Sequence, residues 1–301
     1  MDRTPTTNGG TPVSLGRRLT GSQAWLDELA ERLQPRVGKA VTSRSWLHDL
    51  LDGTWLGTPL HAALTDVPIG AWSTAFAMDA ISVATGSPQA QAAADGALAV
   101  GVAGAVPAAL TGTSDWRDLT GEARRIATLH GLLNTAGLTL NIASLACRRR
   151  GERGRGRALS ALALAISGTA AHLGGELSFG LGVRVNQTFD GAQPPEFTTV
   201  SGADLTQLAD GAMRRVTLDG TAVLLARAQS GRLCAIANTC SHLGGPLDEG
   251  ARDGDVVTCP WHGSRFDLRS GRVLEGPAVF PQPSYEVREH EGEIQMRTPA
   301  S

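Results

Sequence analysis

Cys240-Ser241-His242-Leu243-Gly244-Gly245-Pro246 and, after sixteen intervening residues from His242, Cys259-Pro260-Trp261-His262-Gly263-Ser264 carry the deciding pattern of this 301-residue chain. Each stretch offers one thiolate and one imidazole. Two such stretches can complete the protein shell of a two-iron centre, with two cysteines on one iron and two histidines on the other, or they can form a Cys2His2 zinc site. Zinc is the weaker reading, because zinc ribbons and fingers open with two cysteines at short spacing rather than with Cys-x-His. Gly244, Gly245, Pro246, Pro260 and Gly263 suit tight loops whose backbone must come close to a compact inorganic group.

The residues around these loops read as a small all-β domain. Alternating apolar runs at 213–218, 221–228, 232–237, 256–258 and 284–297 predict strands, with Asp219-Gly220 and Glu291-Gly292 as turns. The other two cysteines, Cys147 and Cys234, are expected to be small buried side chains outside the site.

Toward the N-terminus the chemistry changes. Four stretches of about 20 residues, 66–85, 92–112, 126–147 and 158–180, are dominated by Ala, Leu, Val, Ile and Gly, a length that suits bilayer crossings. Asp66, Asp79 and Asp95 are costly in lipid, so a soluble bundle stays open beside a transmembrane one. A compact four-helix bundle follows on either reading, with Gly101, Gly104, Gly131 and Gly137 allowing close helix approach. Asp66 and Pro68 read as an N-cap and a first-turn proline. Trp25, Leu26, Leu29 and Leu33, then Trp46, Leu47, Leu50, Leu51 and Trp55, predict two amphipathic helices able to lie along a membrane interface or to pack on the bundle.

The expected fold class is α+β as separate domains, an N-terminal all-α four-helix transmembrane bundle followed by the small all-β domain. The expected division is an unstructured tail at 1–20, amphipathic helices at 21–57, the four-helix membrane domain at 58–184, a linker at 185–195 and the β domain at 196–301. A formal net charge of -2 gives no basic field for nucleic acid. Four cysteines are too few and too unevenly spaced for a disulfide framework. Arg17-Arg18 is followed by an amphipathic pattern rather than an apolar run, so no cleaved export signal is expected.

At Cys240, His242, Cys259 and His262 the chain resembles the Rieske family, over Glu196 to Thr298. The resemblance implies a [2Fe-2S] cluster held by these four residues, and electron transfer as the activity. Quinol-oxidising members tie the two loops together with two further cysteines, where this chain has Gly245 and Trp261, so it is more similar to the ferredoxin and oxygenase-associated members. Ser264 matches a hydroxyl that hydrogen-bonds cluster sulfur in the quinol-oxidising proteins, and Phe266 stands where they have a hydrogen-bonding Tyr. Fewer such bonds imply a potential low in the family range. Trp55 to Trp72 and Leu173 to Phe179 resemble a widespread bacterial four-helix membrane domain, over about 46 to 184, that is often fused to a Rieske domain. That likeness brings no known activity, and histidines frequent in the relatives are replaced here at Thr58 and Glu176.

These readings make the chain a membrane-bound carrier of single electrons, an oxidoreductase component with no catalytic domain beyond the cluster. The alternatives are an electron-transfer component of an oxygenase system and a redox-sensing membrane module. Expected partners are membrane lipid and redox donor and acceptor proteins or quinone. Asp66, His130 and Glu176 are expected roughly 6 Å inside their helix ends, with His172 deeper and His61 just outside, and His130, His172 and Glu176 form a candidate site for a quinone or a haem. The arginines at 148, 149, 150, 153, 155 and 157 favour a cytoplasmic loop before the last helix. Export of a preassembled cluster argues the other way, toward a β domain on the cytoplasmic side of a bacterial cell membrane.

Overall fold

The computed structural model describes residues 14–201 and 211–299. Among them the N-terminal region holds seven α-helices. Helices α1 (Leu15–Thr20), α2 (Ala24–Thr42) and α3 (Ser45–Asp52) precede four long ones: α4 (Leu60–Thr85), α5 (Pro88–Trp116), α6 (Gly121–Arg149) and α7 (Arg153–Gly175). A π-helical turn, Glu176–Gly180, extends α7. The turn between α4 and α5 is written locally: Gly86 takes φ 70° to end α4, and the Ser87 hydroxyl accepts from Ala90 N at 3.2 Å to start α5, with Pro88 next. Helix α4 packs closely along α5 and α6 along α7, giving two hairpins that meet more sparsely along α5–α6 and α4–α7.

Three expectations need correction. The helical count is seven rather than four, and three segments, Leu60–Thr85, Pro88–Trp116 and Arg153–Gly180, combine the length and the mean hydropathy (1.2, 1.6 and 1.3) to cross a membrane. Helix α6 is long enough at 29 residues, but Asn134, Thr135, Thr139, Asn141 and Ser144 dilute its apolar content. Asp66 and Pro68 do not begin α4, which starts at Leu60 after Pro59 and carries Pro68 inside. Leu15–Thr20, expected within the tail, is helical because tertiary partners hold it: Gly16 N donates to Glu176 at 2.8 Å and Arg17 pairs with Glu122. Residues 1–13 of that tail lie outside the described residues.

The bundle buries polar side chains beside an apolar core of Trp72, Ala75, Leu98 and Ala105, and it leaves large apolar side chains outside. Asp79, Ser82, Asn141, Ser144, Arg148 and Ser160 are buried, whereas Phe76, Val83, Val100, Leu110, Ile142 and Leu162 face outward. At one end Arg148 donates to Asp79 and Asp95, each at 2.9 Å, and to Ser160 at 2.9 Å, with Arg153 pairing Asp95 and Arg157 pairing Asp79. Asp79 and Asp95, two of the three aspartates that are costly in lipid, are thereby paired, whereas Asp66 is exposed.

The β domain has two antiparallel sheets. One runs in the order β1 (Thr198–Thr199), β10 (Glu293–Arg297), β9 (Ser284–His290), β4 (Leu233–Ala237), β3 (Thr221–Arg227), β2 (Met213–Leu218). The other runs β5 (Ala251–Asp253), β6 (Val256–Thr258), β7 (Arg265–Asp267), β8 (Val273–Glu275). Asp219-Gly220 and Glu291-Gly292 form hairpin turns in which both central residues have positive φ: 47° and 80°, then 54° and 81°. Leu224, Ile236, Leu247, Val257 and Phe266 make a dry core directly behind the cysteine loops. Strands β5, β7 and β8 are three residues each, too short to show an alternation in sequence.

Candidate metal centre

Both motif loops close in the same way. In the first, between β4 and β5, Cys240 N donates to Gly245 O at 2.8 Å and Gly244 N to Cys240 O at 2.9 Å. In the second, between β6 and β7, Cys259 N donates to Ser264 O at 2.8 Å and Gly263 N to Cys259 O at 3.1 Å. Gly244 and Gly263 take φ 82° and 80° at matching places, a conformation that costs a side-chain-bearing residue about 1 kcal/mol or more.

The closed loops bring the four residues together in two pairs. Cys240 and Cys259 are free thiols, 1% and 3% exposed, within hydrogen-bonding distance of each other. The amides of His242 and Leu243 point at the Cys240 sulfur, and those of Trp261 and His262 at the Cys259 sulfur. The hydrogen bond from Cys240, helped by those amides, makes the Cys259 thiol the more acidic of the two. The imidazoles of His242 and His262 stand edge to face, ring centroids 5.1 Å apart. Burial, then the Arg184 and His262 charges, hold His242 well below its ordinary pKa, in the neutral state that can ligate.

These residues fit a two-iron cluster. The Nδ1 of His242 is buried without a hydrogen-bond partner, a free lone pair that an iron would satisfy. Gly245 leaves room that any side chain would close: a Cβ there would stand 2.9 Å from the Cys259 sulfur and 3.1 Å from the Trp261 ring. Among the described residues no three His, Cys, Asp or Glu side chains converge as they would around a single ion. Separate cysteine and histidine pairs are what two irons require, and a four-ligand zinc cage is not. Cys147 and Cys234 are buried elsewhere, Cys234 donating to Ala226 O at 3.4 Å.

Sequence reasoning missed what covers the histidine edge. Leu243 packs against the helical cluster of Leu119, Ile126, Leu173, Leu177 and Val183. Arg184 donates to Pro277 O at 2.9 Å and to Asp52 at 2.8 Å, and it also pairs with Asp115. Asp52, fully buried, accepts from Arg117 at 2.9 and 2.8 Å and from Ser114 at 2.9 Å. Asp49 accepts from Gly276 N at 2.9 Å. The cluster loops thus sit on the helical bundle, while Trp261 stays 56% exposed on the open side. His48, Asp49 and Asp52 share one short helix with no motif around them, so nothing local in the sequence marks them.

The expected polar layer does not form as a unit. His172 and Glu176 line an open groove with Ser14, Leu15, Phe179 and Gly180, and Asp66 is exposed. His130 turns instead toward His61, with ring centroids 6.4 Å apart.

A Rieske [2Fe-2S] domain matches residues 199–286, and a predicted membrane protein family (DUF2231) matches residues 57–187. The ferredoxin CarAc of Metapseudomonas resinovorans is 35% identical over 30% of this chain and 83% of its own length. The chain belongs to the Rieske [2Fe-2S] family. The ferredoxin component of the p-cumate 2,3-dioxygenase system of Pseudomonas putida is 35% identical over 29% of this chain and 75% of its own. Among solved structures, the ferredoxin of carbazole 1,9a-dioxygenase from Nocardioides aromaticivorans IC177 is 31% identical, covering 36% of this chain and all of that one, with a TM-score of 0.30. Family membership implies a [2Fe-2S] cluster, and the N-terminal half carries the membrane-protein domain.

Proposed function

We propose that this chain is a membrane-bound Rieske electron carrier in which Cys240 and Cys259 hold one iron and His242 and His262 the other. The observation that carries the reading is the pairing of two self-closing loops that separate a thiol pair from an imidazole pair. When bound, the cluster supplies one-electron oxidation and reduction. The chain's own residues prepare its site. Amides of His242, Leu243, Trp261 and His262 stabilise negative charge on sulfur, Gly245 leaves the approach open, and the core behind Cys240 and Cys259 keeps water out.

Membrane attachment is supported by the three apolar helices and by the bundle, whose outward Val, Leu, Ile and Phe side chains suit lipid. The domain boundaries proposed are those of the sequence reading, except that the helix at Leu15–Thr20 joins the helical region, with the β domain on the cytoplasmic side and the bundle offering a place for quinone or haem. Service as the electron-transfer component of an oxygenase system is a second reading, favoured by the likeness to ferredoxin components.

The test is purification of the full chain from membranes after alkaline carbonate washing. Two irons, two acid-labile sulfides and a Rieske-type paramagnetic signal on reduction, all lost in His262→Ala, are the expected result. One zinc without sulfide would overturn the cluster assignment, and release by carbonate would overturn membrane insertion.

A further inference from the structure

The two hairpins of the bundle repeat one histidine arrangement. Leu60-His61-Ala62-Ala63-Leu64-Thr65 near the start of α4 corresponds to Leu129-His130-Gly131-Leu132-Leu133-Asn134 in α6. His61 Nδ1 lies 2.9 Å from Ala108 O of α5, and His130 Nδ1 lies 2.8 Å from Ala170 O of α7. One helical turn after each of those alanines stands a glycine facing the ring. A Cβ on Gly112 would come within 2.7 Å of His61 Cε1, and one on Gly174 within 3.2 Å of His130 Cε1. Each hairpin therefore seats an imidazole against its own second helix, in the same way.

The seating fixes the chemistry of both rings. A backbone carbonyl only accepts, so each Nδ1 carries the proton and each Nε2 presents a lone pair. The Asn134 amide nitrogen, 3.0 Å from His130 Nε2, agrees with this assignment. For His61 the contact to Ala108 O at Nδ1 is the ring's one hydrogen bond among the described residues. An imidazole held by its other nitrogen on a carbonyl is the usual form of a metal-ligating histidine. Quinone oxygens ask for donors, which these two Nε2 atoms are not.

Spacing and ligand number choose the ligand. A ligating imidazole nitrogen lies about 2 Å from its metal, so rings on opposite sides of one ion have centroids roughly 6 Å apart. The observed separation is 6.4 Å, with ring planes at 89°. Among the described residues no third His, Cys, Asp or Glu joins the pair, so an ion needing four protein ligands is not served. A haem brings four nitrogens of its own and offers two axial positions, which a pair of imidazoles can fill. None of the four cysteines lies in a Cys-x-x-Cys-His sequence, so attachment would be non-covalent. The loosely meeting faces of the two hairpins are where a flat macrocycle could enter, with Asn134 giving up its bond to His130.

From this geometry we infer that His61 and His130 are the axial ligands of one haem held between the hairpins. The inference rests on the proposed reading of the bundle as a place for quinone or haem beside a Rieske cluster. It places the haem next to the cluster that Leu243 packs on: Leu173 belongs to that cluster, and Gly174, the next residue, faces His130.

The test uses the full chain, expressed with a haem precursor and purified in detergent, with haemin titrated into any haem-free fraction. One low-spin haem per chain is expected from the pyridine haemochrome and from the sharp absorption bands of the reduced protein. His61→Ala and His130→Ala should each abolish that spectrum and leave the cluster's paramagnetic signal intact, while His172→Ala should change neither. A protein with an intact cluster signal that neither carries haem nor takes up haemin would overturn the inference, as would low-spin haem surviving both single substitutions. Loss of the cluster signal with haem retained would strike the Rieske reading instead, so the two failures are distinct.

Discussion

In the β domain Leu224, Ile236, Leu247 and Phe266 are fully buried. In the bundle Asn141, Ser144, Arg148 and Asp79 are buried beside apolar residues such as Trp72 and Leu98, and Val83, Val100 and Leu110 are exposed. The first is a core assembled by exclusion of apolar surface from water. The second leaves large apolar side chains outside and joins its interior by ion pairs, hydroxyls and close glycine contacts, an arrangement that is stable where the surroundings are themselves apolar. One chain thus carries two packing regimes, and the cluster loops sit where they meet.

The sharpest way to break this comparison is at Arg148, which is 2% exposed and faces Asp79 and Asp95. Removing one member of a buried pair leaves the other uncompensated, at a cost of about 3 kcal/mol or more. Arg148→Leu is expected to destabilise the bundle by that amount in detergent unfolding while leaving the cluster's spectrum unchanged. Pairing it with Asp79→Leu should recover part of the loss, since the uncompensated carboxylate is then gone while Arg157 and Asp95 each lose one partner. A single substitution as stable as the parent would show that the interior is wet, and that the two regions pack by the same rule.

The two regions also differed in how far they could be read from sequence. The two loops that bring Cys240, His242, Cys259 and His262 together are legible because residue type and spacing are local properties, and the hairpins around Asp219-Gly220 and Glu291-Gly292 because turn chemistry is local too. In the bundle, length and apolar content gave the long helices, but not the boundary at Leu60 or the helix at Leu15–Thr20, which rest on contacts distant in sequence. The pairing of His61 with His130 was hidden for the same reason. Depth along the helices puts His61 just outside the layer of His130, His172 and Glu176, but it does not reveal that His130 turns to His61 while His172 and Glu176 line a separate groove. Asp52 and Arg184 carry no motif at all; only the docking of the β domain gives them meaning.

That docking can be sharpened through pH. Burial pushes the Asp52 carboxyl up, but His48, Arg117 and Arg184 outweigh it and hold the group well below the usual carboxylate range. A carboxyl with a depressed folded pKa stabilises the fold above its unfolded value, about 4, and loses that contribution as pH falls toward the folded value. Asp52→Asn should cost about 2 kcal/mol at pH 7, on the scale of hydrogen bonds to charged groups. The gap between parent and variant should narrow below about pH 4. A pH-independent gap would mean that Asp52 acts through shape rather than charge.

The smallest effect tests how finished the β core is. Phe266 is fully buried in the same apolar cluster as Cys240 and Cys259, and its paired strand positions, Val257 and Val273, offer side chains that cannot hydrogen-bond. A hydroxyl added by Phe266→Tyr therefore has two fates. If it reaches cluster sulfur, one added hydrogen bond of about 1 kcal/mol favours the reduced, more negative state and raises the midpoint by roughly 40 mV for a one-electron couple. If it meets only the core, it is a buried polar group without a partner, and stability falls by about 1 to 3 kcal/mol with no change in potential. Ser264 Oγ accepts from Ala278 N at 3.0 Å, with no acceptor for its own proton among the described residues. We expect the raised midpoint, measured by potentiometric titration of the paramagnetic signal. An unchanged midpoint with a lower melting temperature would show that the apolar packing around the thiols leaves no path from position 266 to the cluster.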